Sequence, residues 1–214
     1  MNWGREMDCQ IDVRFYPAPA DLRGCFSSFY SASFAVADGG RVNDLLQPEW
    51  ANIRFFSGSL PDAWVKGSER VRDVRFLATG PSSVPVHFDL GTTRMWGIGL
   101  FPLGWAKFCH GPATQVANMV VDGAEHPTFA NFRQLAADLF EGTSDEMEEL
   151  ERIVACFRGM NRDVPDQERI VAVHAAMVVR RWQPWRISLT TPALVAARWS
   201  GCAIAISAFL PSCC

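Results

Sequence analysis

From Val13 to Leu100, apolar and polar residues alternate in short runs separated by turn formers. Alternation with a period of two sends successive side chains to opposite faces of an extended chain, so these runs predict strands. They are FSSFYSASFAV (26–36), WANIRFFSG (50–58), VRDVRFLA (71–78), VPVHFDL (84–90) and TRMWGIGLF (93–101). The intervening DGG, SGSLPD, GPSS and GTT carry the glycine, proline, aspartate and serine that tight turns need. Short strands at this spacing predict a small antiparallel β-barrel or sandwich.

After Phe101 the apolar period lengthens to about 3.6 residues, that of one helix face. Pro102, with its preset φ, is expected to open a helix, and Gly97 and Gly99 to let the strand before it bend or be approached closely. Phe129, Phe132, Leu135, Ala136, Leu139 and Phe140 fall on one stripe. A T-x-x-E capping box from Thr143 to Glu146 predicts a second helix burying Met147, Leu150, Ile153, Val154 and Phe157. A third is predicted over about 166–179, with Ile170, Val171, His174, Met177 and Val178 on its stripe. Strands first and helices after predict an α+β fold. The expected organisation is a β-rich unit over 1–101, a segment of about three helices over 102–182 packed on it, and a tail over 183–214.

The tail has a different character. From Ile187 onward the only charge is Arg198, although 20% of the chain is charged. The 16 uncharged residues after Arg198 include Pro211, whereas a membrane span takes about 20 apolar residues. Placing Arg198 mid-span would cost about 2.5–3.5 kcal/mol, so no span is expected. The N-terminal MNWGREMDCQIDVRF is charged at Arg5, Glu6, Asp8 and Asp12 and has no apolar core, which predicts no secretory signal and a cytoplasmic location. The seven cysteines form no CxxC pair and are expected to be reduced thiols. The 214 residues, 49% hydrophobic, suffice for one full core. A net charge of -3 argues against a nucleic-acid surface spread over this chain.

Candidate chemistry is sparse. Cys109 and His110 are adjacent in WGIGLFPLGWAKFCHGPA, and neighbouring side chains on a helix diverge by about 100 degrees. The expected reading is therefore packing for Cys109 and a helix stop for His110 before Gly111-Pro112. His87 and Asp89 share one face of a strand, the beginning of a metal set. Cupin enzymes resemble this layout, but their metal motif needs a His-x-His pair, and none of His87, His110, His126 and His174 forms one. No metal, no cofactor and no catalytic residue is expected. His126 reads as a loop residue and His174 as a hydrogen-bonded core histidine. Trp64, Trp96 and Phe101 are the aromatics expected to line a small-molecule pocket inside the barrel. DEMEELE (145–151) reads as a solvated helix face. The apolar stripe beside it offers a seam either for a second copy or for the barrel itself.

The segment ATGPSSVPVHFDLGTTRMWGIGLFPLGWAKFCHGPATQVANMVVDG resembles the N-terminal sensor region of a subgroup of AraC-type transcriptional regulators. Tyr16, Pro17 and Leu22 match its opening Y-x-P segment, and Gly80-Pro81 its G-P turn. Gly97, Phe101, Pro102 and Gly104 match its glycine-proline strand phrase with the aromatic one residue later. The resemblance covers about residues 13–180. It implies a cupin-like barrel followed by helices that reports a small-molecule effector, often as a homodimer, to a C-terminal helix-turn-helix domain through which DNA is bound. That domain is expected to be missing or incomplete here. Synonymous codons exist for which the bases encoding AIAISAFLPSCC (203–214) yield YFGFPPKLL in another frame, a phrase resembling part of that domain. Residues from about Gln183 onward are accordingly expected to be frameshifted. The alternatives are a cupin-like metal enzyme using His87 and Asp89, and a stand-alone binding module.

Overall fold

The computed structural model describes residues 9–142 and 145–181. In chain order the strands are β1 (Cys9–Phe15), β2 (Phe26–Val36), β3 (Val42–Leu46), β4 (Asn52–Gly58), β5 (Asp62–Val65), β6 (Val71–Arg72), β7 (Phe76–Thr79), β8 (Val86–Leu90) and β9 (Thr93–Leu100). Then come α1 (Pro102–Phe108), a tenth strand β10 (Val120–Asp122), α2 (Arg133–Asp138), α3 (Glu146–Gly159) and α4 (Gln167–Arg181). The fold is α+β. Among the described residues the strands make two open antiparallel sheets and not one closed ring. A large sheet has the order β1-β2-β9-β4-β7-β10, and a small one the order β3-β8-β5-β6.

Alternation on the central strands gives the large sheet two covered faces: β7 and nearly all of β4 and β9 are covered on both sides, and β2 is exposed at Ser33 and Ala35 toward its end. Phe29, Ile53, Phe55, Phe76, Trp96 and Ile98 point to one side, where they meet Phe108, Phe129, Phe132 and Phe157 from the helical half of the chain. Tyr30, Ala32, Phe34, Phe56, Leu77 and Met95 point to the other, against Ala63, Val86, Phe88 and Leu90 of the small sheet. The result is three layers with the large sheet in the middle. Gly97 is required where the Tyr30 ring crosses β9: a Cβ there would lie 2.2 Å from Tyr30 Cζ. Gly104 is required on α1, where a Cβ would stand 2.1 Å from the carbonyl oxygen of Cys25. Pro102 is the first residue of α1, with Phe101 as its extended N-cap.

Several predicted elements change. The run 71–78 is two strands in different sheets, broken where Asp73 takes a positive φ of 53°. The helical half also contributes β10, which pairs antiparallel with β7 and forms an edge of the large sheet. The stripe beginning at Phe129 is a 3-10 turn (Pro127–Phe132) running into the short α2. The N-cap of α3 is Asp145, whose side chain accepts from Met147 N–H, so the helix starts at Glu146. On α4 only Ile170 and His174 of the predicted stripe are half-buried; Val171, Met177 and Val178 are exposed, because the helix meets the rest of the chain along one edge only.

Candidate functional site

The inner face of β4, toward the small sheet, carries Asn52, Arg54 and Phe56. Arg54 is only 2% exposed. Its Nε donates to the Tyr30 hydroxyl at 3.3 Å, its Nη1 to Thr79 Oγ1 at 3.4 Å, and its Nη2 to Glu49 Oε1. Glu49 Oε2 accepts from Asn52 Nδ2 at 3.0 Å. Each oxygen of the Glu49 carboxylate thus receives one donor from β4. Burial alone would lower the Arg54 guanidinium, but Glu49 and Tyr30 more than offset it and hold it above its ordinary range. Burial also pushes the Tyr30 phenol above 10.0, so it stays protonated. Asn52 Oδ1, buried in the same cluster, has no hydrogen-bond partner.

Beside Arg54 lies a cavity of about 30 Å³ lined by Tyr30, Phe34, Phe56, Phe88 and Met95. The exposed surface of its walls is wholly apolar, so a void of that size is a dry gap that admits the tip of an apolar group. Leu46 lines the cavity, and the segment 47–51 that follows it, called the rim segment below, joins β3 of the small sheet to β4 of the large one beside Arg54. Glu49 turns from this segment toward Arg54, while its neighbour Trp50 packs edge-on against Phe101 at 6.2 Å and His174 of α4 at 5.1 Å. The backbone of the segment is held by Ser82 N–H on the Glu49 carbonyl and Leu100 N–H on the Ala51 carbonyl. Arg54 stands in a strand whose two faces are both apolar on either side of it, in Ile53, Phe55 and Phe56. A charge within that apolar run is the trace the site leaves in the sequence, and the fold pairs it with Glu49.

The opposite face of the sheet carries a second ionic site. Glu149 of α3 is fully buried and accepts from Arg94 Nη1 at 2.9 Å, Arg94 Nη2 at 2.7 Å and Trp96 Nε1 at 2.8 Å. One turn earlier Glu146 accepts from Arg14 Nη1 at 2.8 Å and from the Ser31 hydroxyl. Burial would raise the Glu146 carboxyl, but hydrogen bonds from Ser31 and Tyr16 and the charge of Arg14 bring it below its ordinary 4.5. The acidic run 145–151 is therefore divided: Asp145, Glu148 and Glu151 are exposed, as a solvated face would be, and Glu146 and Glu149 turn toward the sheet. Glu146, Glu149, Ile153 and Phe157 form the seam toward the sheet, and Met147 is turned out, 55% exposed. Of the predicted face only Met147 departs: Ile153 and Phe157 are buried and Leu150 and Val154 half-buried against the core, while Glu146 and Glu149 join them because Arg94 and Trp96 of β9 and Arg14 and Ser31 bind their carboxylates.

The three aromatics expected in the pocket stand apart. Trp96 is on the helix side, bound to Glu149. Trp64 of β5 stacks on His87 at 5.1 Å with Arg70 over its ring at 3.9 Å. Phe101 caps α1 and meets Trp50 and His174. Asp89 is paired with Arg41. Cys109 is buried at the end of α1, and burial pushes its thiol up to about 12, which leaves it unreactive at neutral pH. The His110 ring is hydrogen-bonded to Asn131 at 2.9 Å. His126 caps the turn at Pro127–Phe132, accepting from Thr128 N–H. His174 is not hydrogen-bonded through Nε2, and burial lowers its imidazole below 6.5. No three His, Cys, Asp or Glu side chains among the described residues are placed to hold a metal ion. A wider open groove of about 470 Å³ lies between the edge strands β6 and β10, near Glu69, Asp122, Glu125 and His126.

No helix among the described residues is long and apolar enough to cross a membrane. The residues from about 183, to which the frameshift expectation refers, lie outside the described ones. No family model matches the chain, and neither does any curated protein sequence. Among solved structures, the crystal structure of the AraC-like transcriptional activator CuxR is similar, with a TM-score of 0.34 and 12% identity over 82% of this chain and 72% of that one.

Proposed function

We propose that this chain is the effector-sensing region of an AraC-like transcriptional regulator, the family that its Tyr16-Pro17, Gly80-Pro81 and Gly97–Gly104 pattern resembles. On this reading the two sheets are an opened form of a cupin-like barrel, and the effector sits between them. The observation that carries the reading is the rim segment 47–51: Glu49 is bonded to the buried Arg54 at the cavity while Trp50 touches α4. A change inside the cavity has a direct mechanical path to the last described helix, which is what a sensor requires and a catalyst does not. The contact with DNA is then made by a domain other than residues 1–182. In this reading the chain acts in the cytoplasm, and a second copy pairs with it through the helical segment.

The test fuses residues 1–181 to the helix-turn-helix domain of a known AraC-type activator and measures a reporter over a panel of small molecules. The expected result is a compound-dependent change in output that Trp50→Ala abolishes. A reporter indifferent to every compound, or stoichiometric iron, manganese or zinc in the purified chain, would overturn the reading in favour of a cupin-like enzyme or a stand-alone module.

A further inference from the structure

Resting on the cavity reading above, we propose that the inter-sheet site takes a small apolar monocarboxylate whose carboxylate displaces Glu49 from Arg54 and Asn52, releasing the rim segment that bears Trp50. The seat is already shaped for a carboxylate. Arg54 Nη2 and Asn52 Nδ2 donate to the two separate oxygens of Glu49, so the protein's own side chain occupies the position a ligand anion would take. A guanidinium matches this planar, two-oxygen geometry.

The two halves of the ion pair are held unequally. The Arg54 side chain is 3% exposed, fixed on a central strand and tied to Tyr30 and Thr79, whereas the Glu49 side chain is 22% exposed and comes from a connecting segment. The exchangeable member is the carboxylate, which can turn into water at little cost while Arg54 cannot leave. A buried cation deprived of its partner is strongly unfavourable, so only an anion replaces Glu49 and a neutral ligand of the same shape is excluded. Two of the five guanidinium N–H donors have no protein acceptor in these hydrogen bonds, and Asn52 Oδ1 has no donor. Glu49 is acceptor-only and does not satisfy Asn52 Oδ1; a hydroxyl beside the ligand carboxylate would. The body of the ligand then lies against Phe34, Phe56, Phe88 and Met95, and the unbranched Met95 is the side chain best able to yield space.

The consequence reaches the surface. Glu49 and Trp50 are consecutive, and Trp50 packs on Phe101 and His174. With Glu49 turned out of the site, Trp50, the next residue, is the side chain at which the exchange is read toward α4.

The experiment uses the full chain labelled with 5-fluorotryptophan, with the Trp50 fluorine resonance assigned through Trp50→Phe. The probes are 4-methylpentanoate, its 2-hydroxy derivative and the neutral 4-methylpentanamide. The expected result is a saturable shift of the Trp50 resonance with either acid, and binding at least about tenfold weaker for the amide. Glu49→Gln, which removes the resident anion, is expected to bind the acids about tenfold tighter, and Arg54→Met to abolish the preference for acid over amide. Should Arg54→Met fail to fold, Glu49→Gln decides, since its side chain sits at the rim. Equal binding of acid and amide, unchanged affinity in Glu49→Gln, or no acid binding at about 10 mM overturns the proposal. Equal binding of the amide leaves the cavity standing as a sensor site. Conversely, acid binding with a silent reporter fusion would retain the carboxylate site and remove the regulator.

Discussion

On its helix side the large sheet is sealed by Phe108, Phe129, Phe132 and Phe157, and the buried carboxylate of Glu149 receives three donors. On its other side the same sheet meets four short strands around a cavity, and the buried guanidinium of Arg54 depends on the Glu49 carboxylate of the segment 47–51. Both faces bury charge, yet to opposite effect. Glu149 rides on α3 and is paired with groups of β9, so breaking it means undocking a helix. Glu49 rides on a short connection, so breaking its pair means turning one side chain. The first arrangement ties two layers together; the second depends on one side chain of a connecting segment. Buried ion pairs do not by themselves indicate rigidity, because what matters is which partner can return to water.

The largest expected effect tests the sealed face. Phe157→Ala removes a ring in contact with Phe26, Phe29, Phe108 and Phe132. It should cost about 4 kcal/mol in urea unfolding, as large truncations in closed aromatic cores do. A cost near 1 kcal/mol would show this face to be as yielding as the other. Glu149→Gln follows: it removes the charge opposite Arg94 and places an amide where acceptors are needed. Because Arg94 is partly exposed and can rehydrate, the loss should be about 2 kcal/mol. The double-mutant cycle with Arg94→Met should show strong coupling, and additivity would mean that the pair does not clamp α3.

On the cavity face, Met95→Leu should cost less than about 1.5 kcal/mol, since a neighbouring void absorbs the change of shape. A greater loss would mean that the face is as tightly packed as its opposite. The acid response separates the faces further. The Glu146 carboxyl is lower in the folded chain than its ordinary 4.5, so its contribution is present above that value and is lost as pH falls through it toward the folded value. Thermal unfolding followed from about pH 6 to about pH 3 should show this loss, and Glu146→Gln should flatten that part of the profile. The smallest effect belongs to Met147→Gln, within about 0.5 kcal/mol because the side chain is turned to solvent. A larger penalty would restore the face that apolar spacing alone predicts for α3.

Particular residues show how far the sequence could be read. Pro102 opens α1 as expected because its φ is a local property of the residue. Cys109 packs as a small hydrophobe, which adjacency and helical geometry were enough to foresee. The alternation of Ile53, Arg54, Phe55 and Phe56 contained the candidate site, but an arginine in a strand reads as surface until both faces of that strand are known to be covered. The split of 71–78 at Asp73 was not legible, since both halves are β-prone and only their assignment to different sheets separates them. β1, β3, β5 and β10 are not predicted: the last three are runs of three to five residues too short to carry a period, and β1 begins before the alternating region.

By itself the sequence determined the α+β order, the positions of β2, β4, β8 and β9, the start of α1 and the apolar stripes from which the helices are made. These follow from periods of two and 3.6 and from residues with restricted backbones, all of which act over a few positions. Tertiary structure alone decided that the large sheet is covered on both faces, that α3 presents Glu146 and Glu149 inward, and that Glu49 meets Arg54 at a cavity while Trp50 meets α4. The physical reason is that burying a charge depends on its partner, and partners such as Arg94 and Glu149 are brought together only after the chain has folded.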